Sequence, residues 1–559
     1  MIRRLLVLAL FAGSLVLVFG SAYLRHLELA ADPYTFTDDA RAWIPPLYKE
    51  IPPDDTIKQY YLRTHLSAGF TALYQTLSLF ADPQVLSKYL PYPLLAAMLV
   101  LMAMASYRLG SAATAWATLV LALSTALFLE RMTGGLARAF AFPIVAMALW
   151  GLVAGRACWL AAATLLGAAF YPPAGVLSGA SLVAVSFLPE RHRGDMASWS
   201  LRKRLLLVGG AALLSALMLL PQFLAGGDYG PRLTAADAAA YPETGEGGRY
   251  GVEDRAPYPS VLNELAAASY RSLMGAGDAW FAPLHLREAS VPLTTDIVIL
   301  ILSLFYFGFT GWRGDRAALL RVLLLPVAVV TCHTLSLLAA PYAYLPQRYV
   351  LYSFPVILLT LFPVALRQIM QKRTLAEKHA WFPDAGMLAA VLAVLLLFGG
   401  RGQSDAGYTV KIPADDRPLY EALATLPQEA VIAGWPMGMA DNIPYLSRRR
   451  VLMNYETHQV FHREYTDLMR KRFSCLSRGY FATERAVLLA VLREECGITH
   501  LVVEKPLLAG DAPTYFKPFT GEVKTLWEEN KEKSFLLADE HAFPVIFENA
   551  RFRVIQLIP

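Results

Sequence analysis

Residues 94–129 read LLAAMLVLMAMASYRLGSAATAWATLVLALSTALFL, with Arg108 as the single charge. A helix crosses the hydrocarbon layer of a bilayer with about 20 apolar residues, each rising about 1.5 Å. Leu94–Tyr107 and Ala112–Leu129 therefore read as two membrane-spanning helices around a turn that carries one charge. Toward the C-terminus the same reading takes in Ala139–Ala154, Cys158–Phe170, Gly175–Leu188, Leu205–Leu224, Leu293–Thr310, Ala318–Leu338, Tyr349–Leu366 and Ala385–Gly399. Toward the N-terminus it adds Leu5–Tyr23, after the basic start MIRR. That run has no small-x-small cleavage site ahead of a soluble domain, so it is expected to remain as a span. Cys158–Phe170 and Gly175–Leu188 are short and separated by YPPAG; they are two short spans or one re-entrant hairpin, and both return the chain to the same side. Only 17% of the 559 residues are charged, against about 25% in soluble proteins. The expected fold is a polytopic α-helical membrane protein of about eleven transmembrane segments, residues 1–400, followed by a separate unit, 401–559.

Lysines and arginines in short loops set the orientation. With the N-terminus in the cytoplasm, the inner loops carry Arg3 and Arg4; Arg108; Arg156; Arg191, Arg193, Arg202, Lys203 and Arg204; Arg313, Arg316 and Arg321; and Arg367, Lys372, Arg373 and Lys378. The short outer loops YPPAG and Ala339–Gln347 carry none, and only Arg131 and Arg138 break the pattern. Residues 24–93, 225–292 and 401–559 are then expected outside, which suits a plasma membrane such as a bacterial inner membrane with a periplasmic or extracellular C-terminal unit. The formal charge of +5 is too small for this length to suggest a nucleic-acid partner.

The C-terminal unit reads as α/β, with a helix over Pro418–Leu426, strands over Ala430–Gly434 and Arg450–Asn454, a helix over Glu484–Glu494, and strands over Ile498–Val503 and Phe552–Ile558. No glycine-rich phosphate loop follows any of these strands, so a nucleotide site is unsupported. Cys475 and Cys496 can form a disulfide in an oxidising compartment. GWPMGMADNIPYLSRRRVLMNYETHQVFH, residues 434–462, suits a carbohydrate surface or a loop docked on the membrane part. His458 and His462 are four apart but do not form HExxH, and no zinc site follows. In the first outer loop, Leu62, Leu66, Phe70, Leu73, Leu77 and Phe80 recur at helical spacing. They predict an amphipathic helix lying on the membrane or packed on the outer unit. The second outer loop, rich in Gly, Pro and Tyr, reads as a flexible loop or lid.

Three places carry candidate chemistry. Asp38-Asp39, in TFTDDARAW, can accept a hydroxyl proton or hold a divalent cation; Thr37 or Asp38 would serve equally as a helix N-cap. Arg348, in PQRYVLYSFPV at the expected outer end of a late span, can grip a phosphate bidentately. Its neighbour Tyr349 either assists or belongs with Tyr342 and Tyr344 to an aromatic belt. Glu130, Arg131 and Arg138, in LERMTGGLARAFAFP, are charges at a membrane boundary suited to an anionic substrate or to snorkelling. His333, near the outer end of its span, is a further candidate, with hydrogen-bonded packing as its plainer role.

A single first span, an acidic pair in the first outer loop, interfacial helices, many irregular spans and an outer C-terminal unit together resemble the GT-C superfamily of membrane glycosyltransferases. GFTALY, residues 69–74, resembles the Gly-x-x-x-Leu-Tyr stretch of such loops, and Arg348-Tyr349 followed by Pro355 resembles their late Arg-Tyr pair. The resemblance implies an enzyme that takes a sugar from a polyprenyl-phosphate carrier in the bilayer. It passes the sugar to a glycan, lipid or protein acceptor of the envelope. Asp38 or Asp39 would act as base or as ligand of a divalent cation, Mg²⁺ or Mn²⁺, and Arg348 would contact the lipid phosphate. No WWD-type motif is present, so oligosaccharyltransferase activity is not supported. A flippase of lipid-linked sugars would need acidic groups deep in the spans or an internal repeat, and neither is seen. A non-catalytic scaffold remains open. Only the enzyme requires Asp38, Asp39 and Arg348 to converge on one lipid-accessible cavity.

Overall fold

A computed structural model describes residues 20, 22–233, most of 237–249, residues 265 and 268, most of 303–338, 346–372, 381–398 and 405–557. The expected spans Leu5–Tyr23 and Leu293–Thr310, most of the second outer loop, and Tyr342 and Tyr344 lie outside these residues, wholly or largely. The other apolar stretches fall on helices. Five helices are long and apolar enough to cross a membrane: Pro83–Leu109, Ala137–Ala154, Leu201–Tyr229, Arg316–Leu338 and Arg348–Gln371. Ala112–Ser124 and Ala126–Met132, bent by 59° at their junction, make a sixth if they form one broken span. Ala157–Phe170, Pro172–Phe187 and Phe382–Leu395 are shorter apolar helices. The chain is an integral membrane protein and mostly helical; length alone does not bring its described helices to the expected count of about eleven.

Small residues set the close approaches. A Cβ on Gly167 would lie 2.1 Å from Gly175 Cα, so Ala157–Phe170 and Pro172–Phe187 form a tight hairpin turning at Tyr171. Ala141–Ala154 ends on Gly155, whose left-handed backbone (φ 64°) closes the helix. Arg321 reaches its freed carbonyls, with Nε donating to Leu152 O at 2.7 Å.

The amphipathic stretch of the first loop is two helices rather than one, Thr56–Thr64 and Ala68–Leu77. Two different partners break it. Tyr60 stacks on Tyr465 at 3.5 Å, tying the first helix to C-terminal residues. Ser67 Oγ donates to Phe170 O at 3.0 Å, tying the second to the apolar hairpin. There Gly69 lies against Ala169, where a Cβ would come within 2.7 Å of the carbonyl oxygen. Leu79 and Phe80 stay exposed.

Residues 405–557 carry a five-stranded mixed sheet made of β3 (Val431–Gly434), β4 (Arg450–Val451), β5 (His500–Glu504), β6 (Val545–Glu548) and β7 (Phe552–Gln556). Their order across the sheet is β4-β3-β5-β7-β6. β5, rich in β-branched residues, lies between β3 and β7 with Leu501, Val502 and Val503 fully buried. Helices Arg417–Ala424, Met439–Ser447, Arg463–Tyr480 and Phe519–Asn530 belong to the same stretch, and the sequence reading found only the first. The expected helix over Glu484–Glu494 is a short α-turn, Arg485–Leu488, continued by a π-helix, Leu489–Glu495. Cys475 and Cys496 are disulfide-bonded.

A two-stranded antiparallel pair joins the distant ends of the chain: β1 (Thr35–Phe36) against β2 (Val410–Lys411). The Gly69 crossing is directly testable. Gly69→Val should lower stability by about 1–3 kcal/mol, seen as a lower Tm of the purified protein in detergent. An unchanged Tm would contradict the crossing.

Candidate active site

The acid pair leaves β1 with its backbone already fixed. Asp38 N–H donates to Thr409 Oγ1 at 2.9 Å. Ile412 N–H donates to Tyr34 O at 2.9 Å. Lys88 Nζ donates to the carbonyls of Asp32 and Thr35. Asp39 stands at the N-cap of Ala40–Trp43, yet its side chain caps nothing. The capping role is therefore not taken up, and both carboxylates turn to arginines: Asp39 to Arg138, and Asp38 to Arg41.

Arg138 is carried by the turn between Ala126–Met132 and Ala141–Ala154. Gly134 and Gly135 take positive φ there, 90° and 56°. A Cβ at Gly134 would lie 2.3 Å from Thr37 Cγ2, so only glycine lets this turn press on the loop of the acid pair. Tyr74, the last residue of GFTALY, donates to Gly135 O at 2.9 Å and braces the turn.

These groups line one cavity of about 1000 Å³. Asp38, Asp39, Arg131, Arg138, Arg348 and Tyr349 all contribute to its wall. Glu130 and His333 do not: Glu130 pairs with its neighbour Arg131 at 3.4 Å, and His333 is buried in its own helix. Five arginines stand against three carboxylates in the lining. Asp38, Asp39 and Glu456 are ion-paired, whereas the Arg348 side chain has no carboxylate or hydrogen-bond partner among the described residues. The cavity therefore carries uncompensated positive charge, and among the described residues Arg348 and Arg232 are its guanidinium groups with donors unspent. Aromatic residues form much of the remaining wall, including Trp43, Tyr61, Tyr171 and Phe461.

Arg41, Arg232, Arg249 and Glu456 were not foreseen as site residues. Arg232 and Arg249 come from GGDYGPR and GGRYG of the second loop, which is too long for its charges to stand out by the asymmetry rule that singled out Arg131 and Arg138. Glu456 takes Arg41 at 3.6 Å and Arg249 at 3.5 Å. Burial, with Asp38 and Asp441 close by, pushes its pKa up to about 7 against the pull of the two arginines. His65 and His462, also in the wall, are held neutral by burial, at about 3 and 4. In the 434–462 stretch, Trp435 is packed among Phe473, Tyr480 and Phe481. Arg448 docks on Glu50 and Asp82, each at 2.7 Å. The stretch is thus a docking loop that lends Glu456, Gln459, Phe461 and His462 to the cavity.

The donor set does not form a cation cage. Asp38 and Asp39 are each engaged by a guanidinium, and no group of three His, Cys, Asp or Glu converges among the described residues.

No family model matches the sequence, and no curated protein sequence matches it. Solved structures do show a likeness. ArnT from Cupriavidus metallidurans bound to undecaprenyl phosphate overlaps at a TM-score of 0.47 and 14% identity, over 98% of both chains. The oligosaccharyltransferase AglB from Archaeoglobus fulgidus, in complex with an inhibitory peptide and a dolichol-phosphate, overlaps at 0.49 and 13% identity, over 88% of this chain and 69% of that one. The likeness is distant and carries nothing about residues or substrates.

Asp39 and Arg138 should behave as a coupled pair. A double-mutant cycle of Asp39→Asn and Arg138→Gln, read by thermal unfolding, should give a coupling of roughly 0.5–1.5 kcal/mol. Additive effects would contradict the pairing.

Proposed function

We propose that this protein is a glycosyltransferase that moves a sugar from a polyprenyl-phosphate carrier to an acceptor hydroxyl at the outer face of the membrane. The observation that carries this reading is the cavity in which the acid pair and the unpaired guanidinium of a late span share one wall. The chemistry needs both. The acceptor oxygen attacks the anomeric carbon, the bond from that carbon to the phosphate oxygen breaks, and the acceptor proton passes to a carboxylate. Charge grows on the departing lipid phosphate, and cations placed beforehand lower the barrier most there. Arg348 is suited to hold that phosphate because its five donors are uncommitted among the described residues and its planar fork matches a phosphate.

Asp38 and Asp39 would share the basic role, each oriented by its own guanidinium. Arrival of the anionic donor would compete for Arg41 and Arg138 and so free the acid pair to meet the acceptor hydroxyl. The second loop would add Arg232 and Arg249 to the anionic end. Dolichol-phosphate and undecaprenyl phosphate are ligands of the distantly similar proteins. Here the same class of donor is supported by the cation excess of the cavity and by its place beside apolar helices. A sugar-bearing or lipid acceptor of the envelope suits the mixed aromatic and polar wall, and residues 1–400 and 401–559 would together build the site.

Two outcomes test this. Asp38→Asn and Asp39→Asn, singly and together, should lower transfer by about 10²–10⁴-fold while the protein still folds; full turnover in all three would remove the mechanism. Arg348→Ala should weaken binding of undecaprenyl phosphate by about tenfold or more, measured by native mass spectrometry from lipid nanodiscs. Undiminished binding would take the phosphate away from Arg348.

A further inference from the structure

Glu456 lies where three separate parts of the chain meet. Its backbone N–H donates to Asp441 Oδ1 at 3.0 Å, and its carbonyl accepts from Tyr61 OH at 3.1 Å and from Gln459 Nε2 at 2.6 Å. The carboxylate is thereby fixed in place, with one oxygen toward Arg41 and the other toward Arg249. Arg41 is the inner member of the set: it also reaches Asp38, Asp441 at 3.7 Å and Asn442 at 3.4 Å. Arg249 is the outer member, lying over the Tyr455 ring at 3.8 Å. The rest of its segment is fastened separately. Glu243, fully buried, takes two donors from Arg470, and Lys517 N–H donates to Gly247 O at 2.9 Å.

We propose that the Arg41–Glu456–Arg249 clasp couples the acid pair to the second loop: Glu456 holds Arg41 beside Asp38 and ties the 237–249 stretch across the cavity. Glu456 is thus a positioning residue, acting through Arg41 and Arg249. Its part in the reaction rests on the transferase reading; the clasp itself does not.

The charge state of Glu456 makes the clasp conditional. Its pKa is raised to about 7, above the ordinary carboxylate range, so the ionised form that binds both arginines is complete above about pH 8. It is lost as pH falls through 7. The groups facing it are Arg41 and Asp38 from the first loop, Arg249 from the second, and Asp441, Tyr455 and Tyr515 from the C-terminal residues. Asp441, pushed by burial to about 6, titrates later and keeps a hold on Arg41 after Glu456 has let go. Between pH 8 and 6 the first consequence is therefore a weaker hold on Arg249 and its segment, whose ties to Arg470 and Lys517 remain. Arg41 then turns from two carboxylates of the C-terminal unit to one, and Asp38 keeps a larger share of its charge.

Hydrogen exchange followed by mass spectrometry on the full chain in lipid nanodiscs tests this without any donor or acceptor. Peptides over 237–249 are compared with peptides over 500–504 at pH 8 and pH 6, which cancels the intrinsic pH dependence of exchange. In the wild type, 237–249 should lose about tenfold of its relative protection from pH 8 to 6. Glu456→Gln should show the released rate at both pH values, Glu456→Asp should restore most of the pH 8 protection, and Arg249→Gln should release the same segment. Wild-type protection in Glu456→Gln at pH 8 would overturn the proposal. So would an equal loosening of 237–249 and the whole of 405–557, which would make Glu456 an ordinary packing residue. A failure of sugar transfer would leave these outcomes unchanged.

Discussion

Two residues of β1 pair with two of β2 across about 375 positions of sequence, and the site depends on that junction. A strand pair this short is not stable alone. It is held by what surrounds it: Lys88 on the carbonyls of Asp32 and Thr35, Arg417 on Asp32 at 3.2 Å, and Thr409 on the backbone of Asp38. His26 fastens the same corner, with Nε2 2.9 Å from Ala406 O and Nδ1 2.7 Å from Tyr92 OH. Bringing such distant segments together has an entropic cost that grows only slowly with loop length. Once the membrane helices are packed, the corner is within reach of a few good hydrogen bonds. It delivers Asp38 and Asp39 to a place where neither needs to cap a helix.

From that corner outward the electrostatics follow from burial. A carboxylate near a low-dielectric boundary is costly unless paired, and each acid of the cavity has found an arginine. The arginines outnumber the acids, and the surplus cannot be neutralised from within the described residues. An unfilled cation of this kind is stabilised by a ligand of opposite sign, which gives the cavity a preference for an anion before any detail of the ligand is known. The neutral histidines of the wall add hydrogen-bonding capacity without adding charge.

The membrane character was legible because a span needs only a run of apolar residues, and the runs at 139–154, 318–338 and 349–366 fall on helices almost end to end. The split of the amphipathic stretch at residues 65–67 was not, since Leu62, Leu66, Phe70 and Leu73 keep helical spacing across it. What breaks the helix is the choice of two partners, and a local pattern holds no record of a partner. Asp38, Asp39 and Arg348 were readable as unusual residues at expected boundaries. Arg249 and Glu456 were not, because each is an ordinary charge whose meaning lies in the other, more than 200 residues away. The long helix Arg463–Tyr480 was missed for a plainer reason: it is rich in Arg, Lys and Tyr, and its buried side, Tyr465, Met469, Phe473 and Leu476, is thinly spread among them.

The most direct measurement is a cryo-EM structure of the protein in lipid nanodiscs with undecaprenyl phosphate added. The account predicts phosphate density within hydrogen-bond distance, about 3 Å, of the Arg348 guanidinium, inside the cavity walled by Asp38 and Asp39. Phosphate density elsewhere, with Arg348 turned to a protein carboxylate, would contradict it.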